Sequence, residues 1–235
     1  MGDSIRTLDC EGLTTREINT FLQDAAARSA DAEVVLLNPD SRHNLAVGLT
    51  SLISIRIEGP VGYYCAGLCD GVDVSISGGA GWGLGENLMS GRVQLAGSAG
   101  SAAGATMRGG TVIVGGNAGA RCGVAMKGGT LIVGGDVGYM TGFMMQKGVL
   151  IIGGDAGEAL GDSLYEGKIY LRGKADALGS DAVQADLTEA DIALLSTALL
   201  DAGLDMVPAE FQKIVSGKKL YNFDKNEKEI WKTAL

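Results

Sequence analysis

The amino-acid sequence predicts an all-β core, wound as a right-handed parallel β-helix of about seven coils with helical caps at both ends. Three observations predict this fold. Glycines recur every nineteen residues, a short apolar strand precedes each glycine of the first column, and nineteen residues leave no room for a crossover helix. Such a period, built on apolar runs and glycine turns, is typical of a solenoid. The first glycine column is Gly59, Gly78, Gly97, Gly116, Gly135, Gly154 and Gly173.

The same pattern divides the chain into three parts. Residues 1–50 form an N-terminal cap of one helix and one strand, residues 51–180 form the β-helix, and residues 181–235 form C-terminal helices and a docking tail. In the first part, Thr14 and Glu17 have the spacing of a capping box, which predicts a helix over residues 14–29. A strand follows at residues 33–38 and stops at Pro39. Because Leu36 lies nineteen residues before Ile55, we expect this strand to begin the stack, with the helix covering its edge.

The seven strands of the β-helix share one pattern, in which the outer two residues of each triplet are apolar. Because side chains alternate across a strand, the outer two point inward and the middle one points outward. The middle residues, in order, are Arg56, Ser75, Gln94, Ile113, Ile132, Ile151 and Tyr170. An outward row of isoleucines would be an unusual patch on a monomer, so something covers it. The cover is either the C-terminal helix of this chain or a partner subunit.

Other columns predict the interior and the corners of each coil. One interior ladder is Cys69, Leu88, Met107, Met126, Met145 and Leu164, and a ladder of small residues is Val61, Ala80, Ala99, Ala118, Val137 and Ala156. Glycine columns mark corners where φ is positive or where two backbones pass closely. Gly119 and Gly138 are expected at such tight corners. A polar column beside a glycine, typical of solvated turns, is Gly79, Ser98, Asn117, Asp136 and Asp155.

After Gly173 the repeat stops and helical signals return. Thr188 begins a helix with Ile192, Leu195 and Leu199 as its apolar stripe, and Gly203 ends it. Pro208 is expected to open a second short helix that closes at Gly217. The residues beyond it mix basic and aromatic side chains. They form a tail that either docks on a neighbour or is solvated.

Composition excludes some classes of partner. The net charge is −9, and no basic stripe interleaved with aromatic residues is present, which argues against nucleic-acid binding. The longest uncharged apolar run is far short of a membrane span, so no membrane partner is expected. The first six residues lack the basic and apolar regions of a signal peptide. We therefore expect a cytoplasmic protein.

The four cysteines are expected to be buried and reduced. Cys65 and Cys122 lie three whole coils apart, at roughly 14 Å, too far for a disulfide. Cys65 and Cys69 have a spacing that matches no common zinc or iron–sulfur pattern. His43, the single histidine, is interpreted as a loop residue that makes ordinary hydrogen bonds, with a functional role as the alternative.

No catalytic, cofactor-binding or metal-binding residue is predicted. A single histidine excludes the usual Ser-His-Asp and Cys-His arrangements. Asp136 and Asp155 could form a carboxylate pair, but they occupy near-identical Gly-Gly-Asp turns and are interpreted as repeated turn residues. The glycine-rich stretch 81–85 resembles a phosphate-binding loop, yet the long helix that a nucleotide site needs does not follow it.

With these features in view, the chain resembles the GXGXG-domain family. The likeness rests on the nineteen-residue coils and on Gly81-x-Gly83-x-Gly85. This domain closes the large subunit of glutamate synthase as a right-handed β-helix, and it also occurs as a separate subunit. Four further stretches look most like the stand-alone subunit of the N-methylglutamate synthase type: residues 62–67 (GYYCAG), 120–128 (ARCGVAMKG), 154–163 (GDAGEALGDS) and 219–223 (KLYNF).

The resemblance implies a complex of three kinds of subunit. One would resemble a glutamine amidotransferase, one would carry FMN and an iron–sulfur cluster in a synthase-like domain, and the third would be this β-helix as a non-catalytic scaffold without a cofactor of its own. Such a complex converts methylamine and glutamate to N-methylglutamate and ammonia.

Three alternatives stay open at this point. The chain could be the GXGXG subunit of a split glutamate synthase, or the GXGXG subunit of a formylmethanofuran dehydrogenase. It could also be an enzyme in its own right, a β-helix acyltransferase or lyase. The nineteen-residue step, however, breaks the six-residue rule of hexapeptide acyltransferases.

Overall fold

A computed structural model describes residues 5–29 and 32–220 of the chain. Within these residues, one sheet of eleven strands runs in the order β1-β2-β3-β4-β5-β6-β7-β8-β9-β11-β10. The strands are β1 (Arg6–Asp9), β2 (Glu33–Leu37), β3 (Ile53–Glu58), β4 (Val72–Ile76), β5 (Gly91–Leu95), β6 (Thr111–Val114), β7 (Lys127–Val133), β8 (Lys147–Ile152), β9 (Lys168–Leu171), β10 (Ala182–Ala185) and β11 (Gln212–Ser216). The α-helices are α1 (Thr15–Arg28) and α2 (Glu189–Ala202), and Pro208–Glu210 forms a 3₁₀ turn.

Strands β3 to β9 form the seven predicted coils of a parallel β-helix. Each strand pairs in parallel with the next at a step of nineteen residues, as in Ile55 with Val74 and Val74 with Val93. One bulge in β7, between Lys127 and Thr130, interrupts the register. The ladder of small residues forms a second parallel column of bridges from Val61 to Ala175. The interior ladder from Cys69 to Leu164 is fully buried, so the predicted stacking is confirmed.

The start of the stack differs from the prediction in two ways. Val34 pairs with Ile55 and Leu36 with Ile57, so the first step is 21 residues and the expected pairing of Leu36 with Ile55 is wrong. The reason is that the connection between β2 and β3 is two residues longer than a regular coil. In addition, the edge of β2 is paired by strand β1 rather than covered by the helix alone. Helix α1 begins with the predicted Thr14–Glu17 capping box and packs its buried face into the core.

Each coil turns through an arch that contains three residues with positive φ at alternate positions. The arches are residues 44–48, 64–68, 83–87, 102–106, 121–125, 140–144 and 159–163. The strain of these left-handed residues is offset by hydrogen bonds between coils, since the N–H groups of Tyr64 and Leu68 donate to the next coil and that of Ala66 donates to the preceding one. Gly83 and Gly85 of the Gly81-x-Gly83-x-Gly85 motif occupy two of these positions, and many of the others are not glycine.

Gly119 and Gly138 occupy tight corners for a different reason than positive φ. Neither residue has a positive φ. A Cβ atom on Gly119 would lie 2.7 Å from the backbone nitrogen of Ser101, and one on Gly138 would lie 2.7 Å from that of Ala120. Close approach of two backbones therefore requires glycine at these corners.

The C-terminal part covers the outward isoleucines. Ile113, Ile132, Ile151 and Tyr170 are buried in one cluster with Leu195 and Leu199 of α2 and with Phe211. Of the two covers considered, the chain's own helix is the one found. Thr188 caps α2 and Gly203 ends it in the left-handed conformation, as predicted.

The second short helix predicted from Pro208 to Gly217 is wrong. Only the 3₁₀ turn Pro208–Glu210 forms, and β11 follows it. Residues 212–216 form a strand rather than a helix because they can pair with the free edge of β9 in antiparallel register and bury Ile214. Strand β10, which was not predicted, pairs with the other side of β11. The docking tail beyond residue 220 lies outside the described residues.

Candidate functional site

The first coils expose several large apolar side chains on and beside their arches. Tyr63, Tyr64, Leu68, Trp82 and Met89 are each more than two-fifths exposed. Large apolar side chains that are exposed together are typical of a surface that binds another molecule. We define the aromatic corner as His43, Tyr63, Tyr64, Leu68 and Trp82.

Three rings of the aromatic corner stack on successive coils. The ring of Tyr63 lies 4.4 Å from that of His43 and 5.4 Å from that of Trp82, centroid to centroid, and both pairs are nearly parallel. Neighbouring strands are about 4.8 Å apart, which matches the distance between stacked rings. The coil spacing therefore holds three aromatic side chains in line with little freedom, which suits a preformed binding surface.

His43 takes part in this stack through an ordinary hydrogen bond. Its Nδ1 accepts the backbone N–H of Tyr63 at 2.9 Å, so this nitrogen carries a lone pair rather than a proton. The hydrogen bond that was expected of His43 is therefore present. Its ring also forms one end of the stack.

A cavity of about 260 Å³ lies beside the stack, between the first arches. Its lining residues are Asn44, Val47, Tyr64, Gly67, Leu68, Glu86 and Asn87. Tyr64 and Leu68 have φ values of 60° and 58°, the left-handed conformation that the arches share. The side chains of both residues are exposed. Glu86 is half-buried, and this burial raises the pKa of its carboxyl group.

The polar column is a structural ladder, as its turn positions predicted. Oδ1 of Asn117 accepts the backbone N–H of Asp136 at 2.9 Å, and Oδ1 of Asp136 accepts that of Asp155 at 2.8 Å. Oδ1 of Asp155 in turn accepts the N–H of Lys174 at 2.7 Å. Each side chain thus satisfies a backbone donor one coil further on. Asp136 and Asp155 are held as links of this ladder.

The cysteines are buried and free, as expected. Burial raises the pKa of the Cys65 and Cys122 thiols to about 12. The Cys69 thiol donates a hydrogen bond to the carbonyl oxygen of Ala46 at 3.0 Å. Among residues 5–29 and 32–220 no three His, Cys, Asp or Glu side chains are grouped so that they could hold a metal ion. These thiols pack as small apolar groups.

Neither α1 nor α2 has the length and the apolar content that crossing a membrane would require.

The sheet face of the first three coils, around Arg56, Ser75 and Gln94, has exposed side chains and is not covered by α2. The outside of the rod is therefore covered at one end and open at the other.

Comparison with known proteins adds one result. No protein-family model matches the chain. Protein GlxC is similar to part of it. This protein of Rhizobium meliloti (strain 1021) is 42% identical over 85 residues, which is 36% of this chain and 37% of GlxC. The chain thus matches just over a third of the length of GlxC, so the likeness concerns one segment and does not extend to an activity of the whole protein.

Sequence reasoning missed the aromatic stack and the Glu86 cavity. Tyr63 and Trp82 are nineteen residues apart, so the repeat contained the signal for this pair. His43 is twenty residues before Tyr63, one residue outside the period, because the first connection is longer. The cavity has no such signal, since its walls come from three arches whose shape only the folded chain defines.

Proposed function

We propose that this chain is a rigid structural subunit of a glutamate-synthase-like complex, in which it holds catalytic subunits at fixed positions. The observation that carries the proposal is the aromatic corner, where the rings of His43, Tyr63 and Trp82 stack on one another and large apolar side chains are exposed beside them. Exposed aromatic residues are enriched at protein–protein interfaces. The resemblance to the GXGXG domain, in the nineteen-residue coils and in Gly81-x-Gly83-x-Gly85, supports the choice of complex.

The construction of the rod supports a scaffold role. Every coil is joined to the next by a strand ladder, by the bridges from Val61 to Ala175 and by hydrogen bonds between arches. The side-chain ladder from Asn117 to Asp155 adds a further set of bonds between coils. Because neighbouring coils are hydrogen-bonded along their strands and at several corners, bending one coil away from the next would break several of these bonds. Two partners bound at different coils would keep their separation.

Within this class, N-methylglutamate synthase is the assembly that we propose. A partner resembling glutamine amidotransferases and a partner with FMN and an iron–sulfur cluster would carry the reaction of methylamine with glutamate. This chain would supply neither nucleophile nor cofactor. The stretches 62–67 and 120–128 support this choice, and the first of them includes Tyr63 and Tyr64 of the aromatic corner.

Affinity purification of the tagged chain from its native source tests the proposal. We expect a yellow flavoprotein to co-purify, and native mass spectrometry to find three kinds of subunit in one assembly. Trp82→Glu should release the partner, because it places a charge in the aromatic corner. Leu200→Glu is the matched control, since Leu200 is also exposed but lies on α2.

The assembly's product separates the possible reactions. N-methylglutamate formed from methylamine and glutamate supports the proposed complex, whereas glutamate formed from glutamine and 2-oxoglutarate indicates a split glutamate synthase. Molybdenum or tungsten in the assembly would indicate the formylmethanofuran type. A colourless monomer that brings down no partner would overturn the scaffold role itself.

A further inference from the structure

The cavity beside the aromatic corner has the size of a side-chain pocket rather than a cofactor site. Its volume is about 260 Å³, and it opens between the arches at residues 44–48, 64–68 and 83–87. Pockets that enclose small-molecule ligands are usually larger, from about 300 to 1,000 Å³. A single protruding side chain of a partner would fit it better than a nucleotide or a flavin.

Glu86 gives the cavity an uncompensated negative charge. No hydrogen bond or salt bridge to its carboxylate is found among residues 5–29 and 32–220, and burial is what raises its pKa. A half-buried carboxylate of this kind is stabilised by a positively charged group placed beside it. The charge therefore favours a cationic occupant over a neutral or anionic one.

The ring of Tyr64 and the carboxylate of Glu86 face the same open space. Both residues line the cavity, and the two groups lie close together, since a Cβ atom on Gly83 would be 3.0 Å from Oε2 of Glu86 and 3.2 Å from Cδ1 of Tyr64. A planar guanidinium group can stack on an aromatic ring while its N–H groups donate to a carboxylate. A cavity lined by the ring of Tyr64 and the carboxylate of Glu86 therefore suits an arginine side chain.

Leu68, which also lines the cavity, supports the same interpretation. Its side chain is 58% exposed. Leu68 can pack against the methylene stem of a long cationic side chain, whose head would reach Glu86. Exposed apolar residues on a cavity wall are expected where a partner completes the packing.

We propose that this cavity, between Tyr64, Leu68 and Glu86, receives an arginine side chain of a partner subunit. The inference rests on the proposed scaffold role, which supplies the partner. It adds to that role one specific anchor, next to the aromatic corner. Partner recognition would then combine apolar contact with Trp82 and Tyr63 and a charge-assisted contact at Glu86.

The experiment uses the full chain alone, so its result is independent of co-purification. Amide NMR spectra are recorded during titration with N-acetyl-L-arginine amide, and separately with N-acetyl-L-citrulline amide, which has nearly the same shape but no charge. We expect saturating shifts at the amides of Gly67 and Asn87 with the arginine probe, and at least tenfold weaker binding of the citrulline probe. In Glu86→Gln this preference should vanish, whereas the exposed carboxylate variant Glu158→Gln should retain it.

Three outcomes would overturn the inference. These are equal affinity for both probes in the unmodified chain, an unchanged preference in Glu86→Gln, and absence of shifts at Gly67 and Asn87 up to the solubility limit of the arginine probe. Amide spectra of the two variants without probe check that both are folded. If the NMR titration fails but a flavoprotein still co-purifies with the chain, the scaffold role is supported and only the proposed arginine site is wrong.

Discussion

The hydroxyl of Tyr170 donates a hydrogen bond to Oδ1 of Asp191 at 2.5 Å, and both side chains are buried. This bond joins the last coil of the β-helix to the first turn of α2. Oδ2 of Asp191 also accepts the Lys213 ammonium of β11 at 2.8 Å and the Thr188 N–H at 2.9 Å. One carboxylate thus connects the final coil, the covering helix and the antiparallel strand β11.

Asp191→Ala should lower the free energy of unfolding by about 3 kcal/mol, because it leaves the largely buried ammonium of Lys213 without its partner. Urea unfolding followed by circular dichroism measures the change. Asp186→Ala is the matched control, since Asp186 is exposed just before the helix, and it should change stability by less than about 0.5 kcal/mol. Equal effects of the two substitutions would show that the buried network contributes little.

Acid should weaken the protein partly through Asp191. Burial by itself raises the pKa of this carboxyl, but hydrogen bonds from Lys213, Tyr170 and Thr188 outweigh it and hold the pKa below its usual range. A group with a lowered folded-state pKa stabilises the fold fully above its unfolded pKa, near 3.9, and loses this contribution as pH falls further. Unfolding curves below about pH 4 should therefore show a smaller loss of stability for Asp191→Asn than for the unmodified chain. Parallel curves would contradict this assignment.

Ile132→Ala should cost about 2–5 kcal/mol, because the side chain is 1% exposed beneath α2 and its truncation leaves a cavity. The comparison is Leu200→Ala on the outer face of the same helix, where the side chain is 83% exposed and little packing is lost. Thermal unfolding of both variants gives the contrast. An intact melting temperature for Ile132→Ala would mean that α2 covers the isoleucines only loosely.

Gly119→Ala should destabilise by about 2 kcal/mol or more, because its Cβ would meet the backbone of the preceding coil at 2.7 Å. Gly12→Ala is the comparison, because it measures the cost of a positive φ without a steric clash. Gly12 has a φ of 74° and no atom near its missing Cβ, so only the left-handed strain of about 1 kcal/mol applies. Chemical unfolding distinguishes the two. If Gly12→Ala were the more damaging change, backbone approach would not explain the corner.

The four cysteines should resist a thiol reagent in the folded protein. All are buried, and burial raises the pKa of Cys65 and Cys122 to about 12, so little thiolate forms near pH 8. Absorbance with Ellman's reagent should rise only after denaturant is added, and then by the equivalent of all four thiols. Rapid reaction of the folded chain would show that an interior ladder is open to solvent.

Much of the fold could be predicted because its signals are local and repeated. Ile55, Val74 and Val93 recur at one interval, and each repetition reinforces the same register. The signals at the two ends occur once. A run such as residues 212–216 could be the end of a helix or a strand, and its pairing with the free edge of β9 decided the matter. The predicted pairing of Leu36 with Ile55 was wrong for the same reason. The longer connection between β2 and β3 occurs only once, so the repeat gives no indication of its two additional residues.

The sequence by itself determined that this chain stacks in coils, with the ladder from Cys69 to Leu164 inside and glycines at the corners, because strand alternation and corner geometry act within a few residues. Only the tertiary structure decided that α2 covers Ile132, that Asp191 joins three elements, and that Tyr64 and Glu86 enclose a charged cavity. These contacts join residues that are distant in sequence. Their energies depend on distances and burial that exist only once the coils have closed.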